Sequence, residues 1–203
     1  MIDQLQQDRL SWMPECGIGY YPVKAAPYDA SYFDRIKANS QTEIGKTLNA
    51  CRLALVAKYL EPTDYALDIG IGCGAFVEAR GNTYGYDINP KAVEWLADMG
   101  LYRTPYHSIH AMTFWDSLEH IHDPSQILAN VQAYAFVSMP IYRSLEHLMT
   151  SKHRRYDEHC WYFTHDGIKI FMAAFGFDMV EHNLMETHAG REDIGTYVFK
   201  RRA

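Results

Sequence analysis

The sequence predicts an α/β fold in three layers, a mostly parallel sheet covered by helices on both faces and ending in an antiparallel pair. Three observations carry this. Short apolar runs alternate with helical periods from Tyr65 to Met139; a glycine-rich turn, Gly70 to Gly74, follows the first of those runs at once; and two β-rich runs, Phe177 to Glu181 and Ile194 to Lys200, close the chain.

The elements follow in order. Ser40-Gln41-Thr42-Glu43 reads as a capping box, and Ile44, Leu48, Cys51, Leu55 and Tyr59 step by threes and fours, so a long helix is expected to about Leu60, before Pro62. Tyr65 to Ile69 is a short buried strand. Phe76 to Arg80 fits the first turns of a helix leaving the glycines, and Thr83 to Ile88 is a second strand carrying Asp87 near its end. Asn89-Pro90 supplies an N-cap and a first-turn proline; Val93, Leu96 and Ala97 give the buried face, and Gly100 sits where a helix stops. Ile109 to Trp115 is the next strand. Asp123-Pro124 starts a helix to Val131, Ala135 to Met139 is a strand, and Thr164 caps a helix with Ile168, Phe171, Met172 and Phe175 on one face, closing at Gly176. The stretch from Gly100 to His120 is too short for a full strand, helix and strand, so the middle of the fold is shortened.

Composition narrows the function. With 203 residues and no change that marks a linker, the chain reads as a single domain, 1–203, with residues 41–203 as its ligand-binding core and 1–40 as an N-terminal cap or lid. A net charge of −6 opposes attraction to phosphate backbones and acidic membranes, so stable nucleic-acid binding is not expected. Four separated cysteines, without CxxC spacing, suggest neither a zinc knuckle nor a disulfide framework and fit a reducing cytoplasm. The start MIDQLQQDRL lacks signal-peptide character, and no apolar stretch reaches the roughly 18 residues of a membrane span. Tyrosine-rich Gly19 to Phe33 reads either as irregular packing over a sheet edge or as a lid over a pocket.

The glycine turn sits where open α/β sheets bind ligands. Gly70, Gly72 and Ala75 satisfy the dinucleotide spacing G-x-G-x-x-A, whereas Gly70, Gly72 and Gly74 make G-x-G-x-G. Two acids separate these readings. Asp68, two residues before the first glycine, repels a pyrophosphate but welcomes a cationic amine. Asp87, 19 residues further on, can accept hydrogen bonds from both hydroxyls of a ribose. A ribose ligand bearing positive charge satisfies both; S-adenosylmethionine fits fully and NAD by half.

LDIGIGCGAF, GYDINP, FWDSLEHIHDP and HCWYFTHDGIKIFMAAFGF, in this order, resemble the motifs of class I S-adenosylmethionine-dependent methyltransferases, and among them the ubiquinone-biosynthesis-like small methyltransferase domains. The resemblance spans about Asp64 to Lys200. It implies a Rossmann-like sheet of seven strands with a reversed final hairpin, and S-adenosyl-L-methionine as cofactor. Carried over by position, Asp68 meets the methionine amine, Gly70 and Gly72 the methionine backbone, Asp87 the ribose and Ile88 the adenine, with Gly74 and Trp115 completing the set. The acidic contact that the family places near the adenine amine, after its third strand, has no counterpart here.

The chemistry is expected from WDSLEHIHDP. Asp116, Glu119 and His120 are spaced i, i+3 and i+4 and share one face if the segment is helical. They are the catalytic candidates, open to three readings: a self-satisfied structural pair, a base centred on His120, or a divalent-metal site; no metal is assigned. In SKHRRYDEHCWYF, Lys152, Arg154 and Arg155 either steer an anionic substrate or form a solvated loop, and His159 and Tyr162 are expected near the pocket. Cys16-Gly17-Ile18-Gly19 echoes the glycine turn but follows no strand, so it is read as a decoy. The expected function is methylation of oxygen or nitrogen on a small molecule. The rivals are a nucleic-acid or protein methyltransferase, though no N/D-P-P-Y/F tetrad follows Trp115, a non-catalytic cofactor-binding scaffold, and, last, an NAD-dependent oxidoreductase.

Overall fold

A computed structural model describes residues 9–23 and 28–203. Parts of the predicted cap, residues 1–8 and 24–27, lie outside the described residues, and with them the middle of the tyrosine-rich stretch.

Six strands form the main sheet in the order β4 (Thr83–Tyr86), β3 (Ala66–Ile69), β5 (Ile109–Trp115), β6 (Val131–Pro140), β9 (Ile194–Arg201), β8 (Phe177–Asn183). The first four run parallel and β9 runs antiparallel to both neighbours, as the closing pair predicts. Alternation along the strands divides the core. Leu67, Ile69, Met112 and Phe114 pack with Ile168, Phe171 and Met172 of α7 (His165–Ala174), while Ala66, Ala111 and Trp115 pack with Leu55 and Val56 of α2 (Glu43–Val56) and Phe76 of α3 (Ala75–Arg80). The second face also carries Asp68 and Thr113, which are register partners. Two polar residues therefore sit where the pattern demands apolar ones.

The seven strands implied by resemblance become six. Between α4 (Pro90–Asp98) and β5 the chain is too short for a strand and helix, and in their place Tyr102 makes one parallel bridge to Gly85. Two hydrogen bonds hold it, Gly85 N–H to the Leu101 carbonyl and Arg103 N–H to the Gly85 carbonyl, each 3.0 Å. The predicted capping box is displaced as well. Ser40 ends an unpredicted helix, α1 (Ala30–Ser40), and Thr42 caps α2, its hydroxyl accepting from Gly45 N–H at 3.1 Å. α1 buries only Phe33, so it has no apolar period to read. Short α5 (Ser125–Ala129) starts after an Asx turn in which Asp123 accepts from Ser125 N–H, 3.0 Å.

A second sheet escapes the sequence pattern. β1 (Ser11–Met13), β2 (Ile18–Tyr20) and β7 (Trp161–Phe163) pair antiparallel, and Phe163 bridges to Ile141 at the end of β6. A strand does precede Cys16 to Gly19, against the expectation, but the segment turns from one antiparallel strand into the next and not from a strand into a helix as the ligand turn does. Helices α6 (Leu145–Thr150) and α8 (Met185–His188) complete the order. No helix among the described residues is long and apolar enough to cross a membrane.

Gly74 begins α3 with φ 81°, and a methyl group there would lie 2.4 Å from the Trp95 ring of α4. Left-handed strain and overpacking act together, so Gly74→Ala should cost about 2–4 kcal/mol, read as a lower urea midpoint of the unliganded protein. An unchanged midpoint would show that α4 does not pack against this turn.

Candidate active site

The carboxyl ends of β3, β4 and β5 open into a cavity of about 700 Å³, within the usual size of a small-molecule site. Gly70 and Gly72 shape its floor in left-handed conformations, φ 76° and 58°. A methyl on Gly70 would come within 2.7 Å of the Ser117 Cβ, so the side chain of the turn after β5 packs on bare backbone of the turn after β3. Asp68, Asp87, Ile88 and Trp115 line the cavity with them. Gly74 is not among the lining residues; its missing side chain makes room for Trp95.

The two acids of the motif differ in state. Asp68 is 1% exposed, and burial pushes its carboxyl up to about 7 against the opposing pull of the Thr113 hydroxyl, which donates to it at 2.6 Å, and of Arg52. Asp87 is also raised by burial, but less, because Asn89 N–H (2.8 Å) and Gly72 N–H (3.3 Å) donate to its two oxygens. Ile88 stands at the rim, 67% exposed. Beyond Asp87, where the family's acidic contact is missing, Tyr86 and Tyr106 line the wall.

The expected shared face of Asp116, Glu119 and His120 does not form. Only Leu118–His120 is helical, as a single 3-10 turn, and Asp116 precedes it with φ 56°. Its carboxylate joins a buried network. Arg191 donates to both Asp116 oxygens (2.7 and 2.8 Å) and to Glu186; Arg52 donates to Glu186 (2.7 and 3.0 Å) and to Asp116 (3.3 Å). Burial raises the Asp116 carboxyl, but Arg191 and then Arg52 outweigh it and hold it below the usual carboxylate range. Arg52 also lies over the Trp115 ring at 5.1 Å. Sequence reading missed Arg52, Glu186 and Arg191, since no local pattern joins them to Asp116.

Glu119 is 2% exposed, and burial, reinforced by Asp116, raises its carboxyl well above normal. Both of its oxygens lack a partner among the described residues. His120 lines the cavity with its Nδ1 3.0 Å from the Glu158 carbonyl and 3.3 Å from the Tyr28 hydroxyl. The ring of His159 stands perpendicular to it, centroids 4.6 Å apart. Burial keeps both imidazoles neutral, lowering His120 and pushing His159, which also faces His120, down to about 3. His159 does not line the cavity itself but packs directly behind His120, which does. Tyr162 does not line it; it packs against Tyr142 at 5.9 Å. Of the loop's bases, Arg155 pairs within the loop with Glu158, whereas Lys152 reaches outside it to Glu192. Tyr28 and Tyr32, from the tyrosine-rich stretch, pack with their rings tilted by 54° and centroids 4.7 Å apart, and both line the cavity.

A family model described as a methyltransferase domain matches residues 41–182, and the chain belongs to that family. No curated protein sequence matches it. Among solved structures, magnesium protoporphyrin IX methyltransferase from Synechocystis PCC 6803 with bound S-adenosylhomocysteine aligns at TM-score 0.62 and 14% identity, over 85% of this chain and 95% of that one. The 1,6-didemethyltoxoflavin-N1-methyltransferase of Burkholderia thailandensis aligns at 0.58 and 13%, over 96% and 100%. A putative methyltransferase in complex with the Haloferax volcanii Trm112 activator aligns at 0.60 and 14%, over 88% and 100%. The family and the fold define a class I S-adenosylmethionine-dependent methyltransferase. The dinucleotide reading of Gly70, Gly72 and Ala75 falls with that assignment.

Arg191→Met leaves Asp116 and the wholly buried Glu186 with one cation between them. Breaking such a network costs about 3 kcal/mol, a loss measurable by urea denaturation at pH 7. Stability equal to wild type would show the network to be an exposed, screened one.

Proposed function

We propose that this protein transfers the methyl group of S-adenosylmethionine to an oxygen or nitrogen of a small acceptor. The observation that carries the reading is the pairing, across one cavity, of a buried carboxylate that lacks a direct cationic partner among the described residues with a second carboxylate whose remaining lone pairs are free. Asp68 accepts from the Thr113 hydroxyl, feels Arg52 only at a distance and forms no ion pair among the described residues, so a methionine ammonium supplies the direct cationic partner. Asp87 spends one acceptor position per oxygen on backbone N–H groups and keeps others for ribose hydroxyls. Gly70 and Gly72 leave room between them, Ile88 offers an apolar edge for the adenine, and Trp115 walls the cavity.

S-adenosylmethionine supplies an electrophilic methyl on a positively charged sulfur. This chain's residues align the acceptor, exclude water and help remove its proton. Tyr28, Tyr32 and His120 bound the end where an acceptor fits, and His120 and Glu119 are the groups proposed to activate it. Asp116, held ionised by two arginines, acts as a fixed charge and positions rather than abstracts. A small acceptor suits the net charge of −6, which disfavours nucleic acid, and the two small-molecule methyltransferases among the structural neighbours are consistent with it. The finer likeness to ubiquinone-biosynthesis-like domains rests on the Glu119-His120 pair and on His159 to Thr164. In this reading residues 1–40 cap a core of residues 41–203, since Tyr28, Tyr32 and Ile36 close the cavity from that side.

Calorimetric titration with S-adenosylhomocysteine should give micromolar binding that Asp87→Ala abolishes; binding undiminished by the substitution would sink the ribose assignment. Affinity should also depend on pH. The folded Asp68 carboxyl, near 7, lies above its unfolded value, so the unliganded fold is favoured by protonation, and that stabilisation is lost as pH rises through about 7. A cationic ligand needs the ionised form. Binding should therefore strengthen roughly tenfold between pH 6 and 8, with proton release at pH 6, and Asp68→Asn should flatten the profile. A flat wild-type profile would place the amine elsewhere.

A further inference from the structure

The geometry points to a metal centre at the acceptor end of the cavity, with Glu119, His120 and His159 holding one divalent transition-metal ion. A carboxylate oxygen of Glu119 and one nitrogen from each imidazole lie within 4.8 Å of one another. Donors bound at about 2.0–2.2 Å around a tetrahedral ion lie roughly 3.4 Å apart, so ion binding draws the three together by up to about 1.4 Å, a shift within reach of side-chain rotation. Three separate structural facts support an ion here rather than chance proximity. Both Glu119 oxygens are buried and without a partner, a state that native proteins rarely tolerate and that a cation relieves. His120 can donate Nδ1–H to the Glu158 carbonyl at 3.0 Å, which leaves Nε2 as the ligand nitrogen and supplies the outer hydrogen bond typical of metal-bound histidine. Cys160 N–H donates to the Glu119 carbonyl at 2.9 Å, so the loop bearing His159 is fastened to the turn bearing the other two ligands.

The donor set selects the ion. Two imidazoles and one carboxylate suit zinc, manganese, iron or cobalt, whereas magnesium and calcium prefer an all-oxygen shell. Three protein ligands leave at least one position open, and His120, the ligand that lines the cavity, sets that position toward the acceptor. The use of the ion, though not its binding, rests on the methyltransferase reading. An acceptor hydroxyl on the open position loses its proton to solvent. Its oxygen then forms a bond to the methyl carbon as the carbon–sulfur bond breaks, and the sulfur leaves as the neutral thioether of S-adenosylhomocysteine.

The test uses tag-free full-length protein, stripped with a chelator and titrated with Zn²⁺ and Co²⁺ by calorimetry and visible absorption. One ion per chain, bound at micromolar or tighter with a visible cobalt band, is expected, and excess Mg²⁺ should not displace it. Glu119→Gln and His159→Asn should each weaken binding at least tenfold while retaining wild-type affinity for S-adenosylhomocysteine, which shows that they fold. No bound ion, or equal affinity in both variants, would overturn the site; if a variant does not fold, absence of the cobalt band in wild type overturns it alone. Metal binding without S-adenosylhomocysteine binding would sink the functional reading and leave the metal centre standing.

Discussion

The open end of this sheet is held by two arginines and two carboxylates, of which Glu186 is fully buried while Asp116, Arg52 and Arg191 keep part of their surface at the cavity. A buried Glu186 without a cation costs several kcal/mol, so the two arginines that flank it are what make its charge tolerable. The sources of the four are far apart: Arg52 on α2, Asp116 after β5, Glu186 on α8 and Arg191 before β9. Fixing Asp116 also fixes its left-handed backbone, and that sets the direction of the turn carrying Glu119 and His120.

What was legible in the sequence was local. Asn89, Pro90 and Gly100 mark both ends of α4 because capping is settled within a few residues, and β5 matches its predicted limits because both its end residues, Ile109 and Trp115, are large, apolar and buried. β6 begins four residues earlier than its apolar core, since Gln132 is exposed and blurs the start. The small sheet and the four-charge network were illegible for the opposite reason. The pairings that join distant segments, Arg52 with Asp116 and with Glu186 and β2 with β7, span 64 to 145 residues, and neither Arg52 nor Arg191 belongs to any motif.

The candidate site shows the same division. Asp68, Gly70, Gly72 and Asp87 come to one cavity because strand ends and the turn between them place them there. Grouping Asp116 with Glu119 and His120 required a helix that the chain does not make. The third member of that cluster is instead His159, delivered by a loop 39 residues later. Gly74 shows that a glycine within such a pattern can be required by an indole, since a side chain there would meet Trp95.

The small sheet has a consequence for the order in which the molecule forms. β2 can pair with β7 only after residue 163 has been made, since Ile18 lies opposite Phe163. During synthesis the first strands to emerge must wait while β3, β4, β5 and β6 assemble among nearer neighbours. Trp12, Tyr20 and Tyr21, which help fill the core beneath the late sheet, stay without their final packing until then. β1 and β2 are made before the strands of the main sheet and ordered after them, so a chaperone that guards exposed aromatic surface has its longest task on that segment.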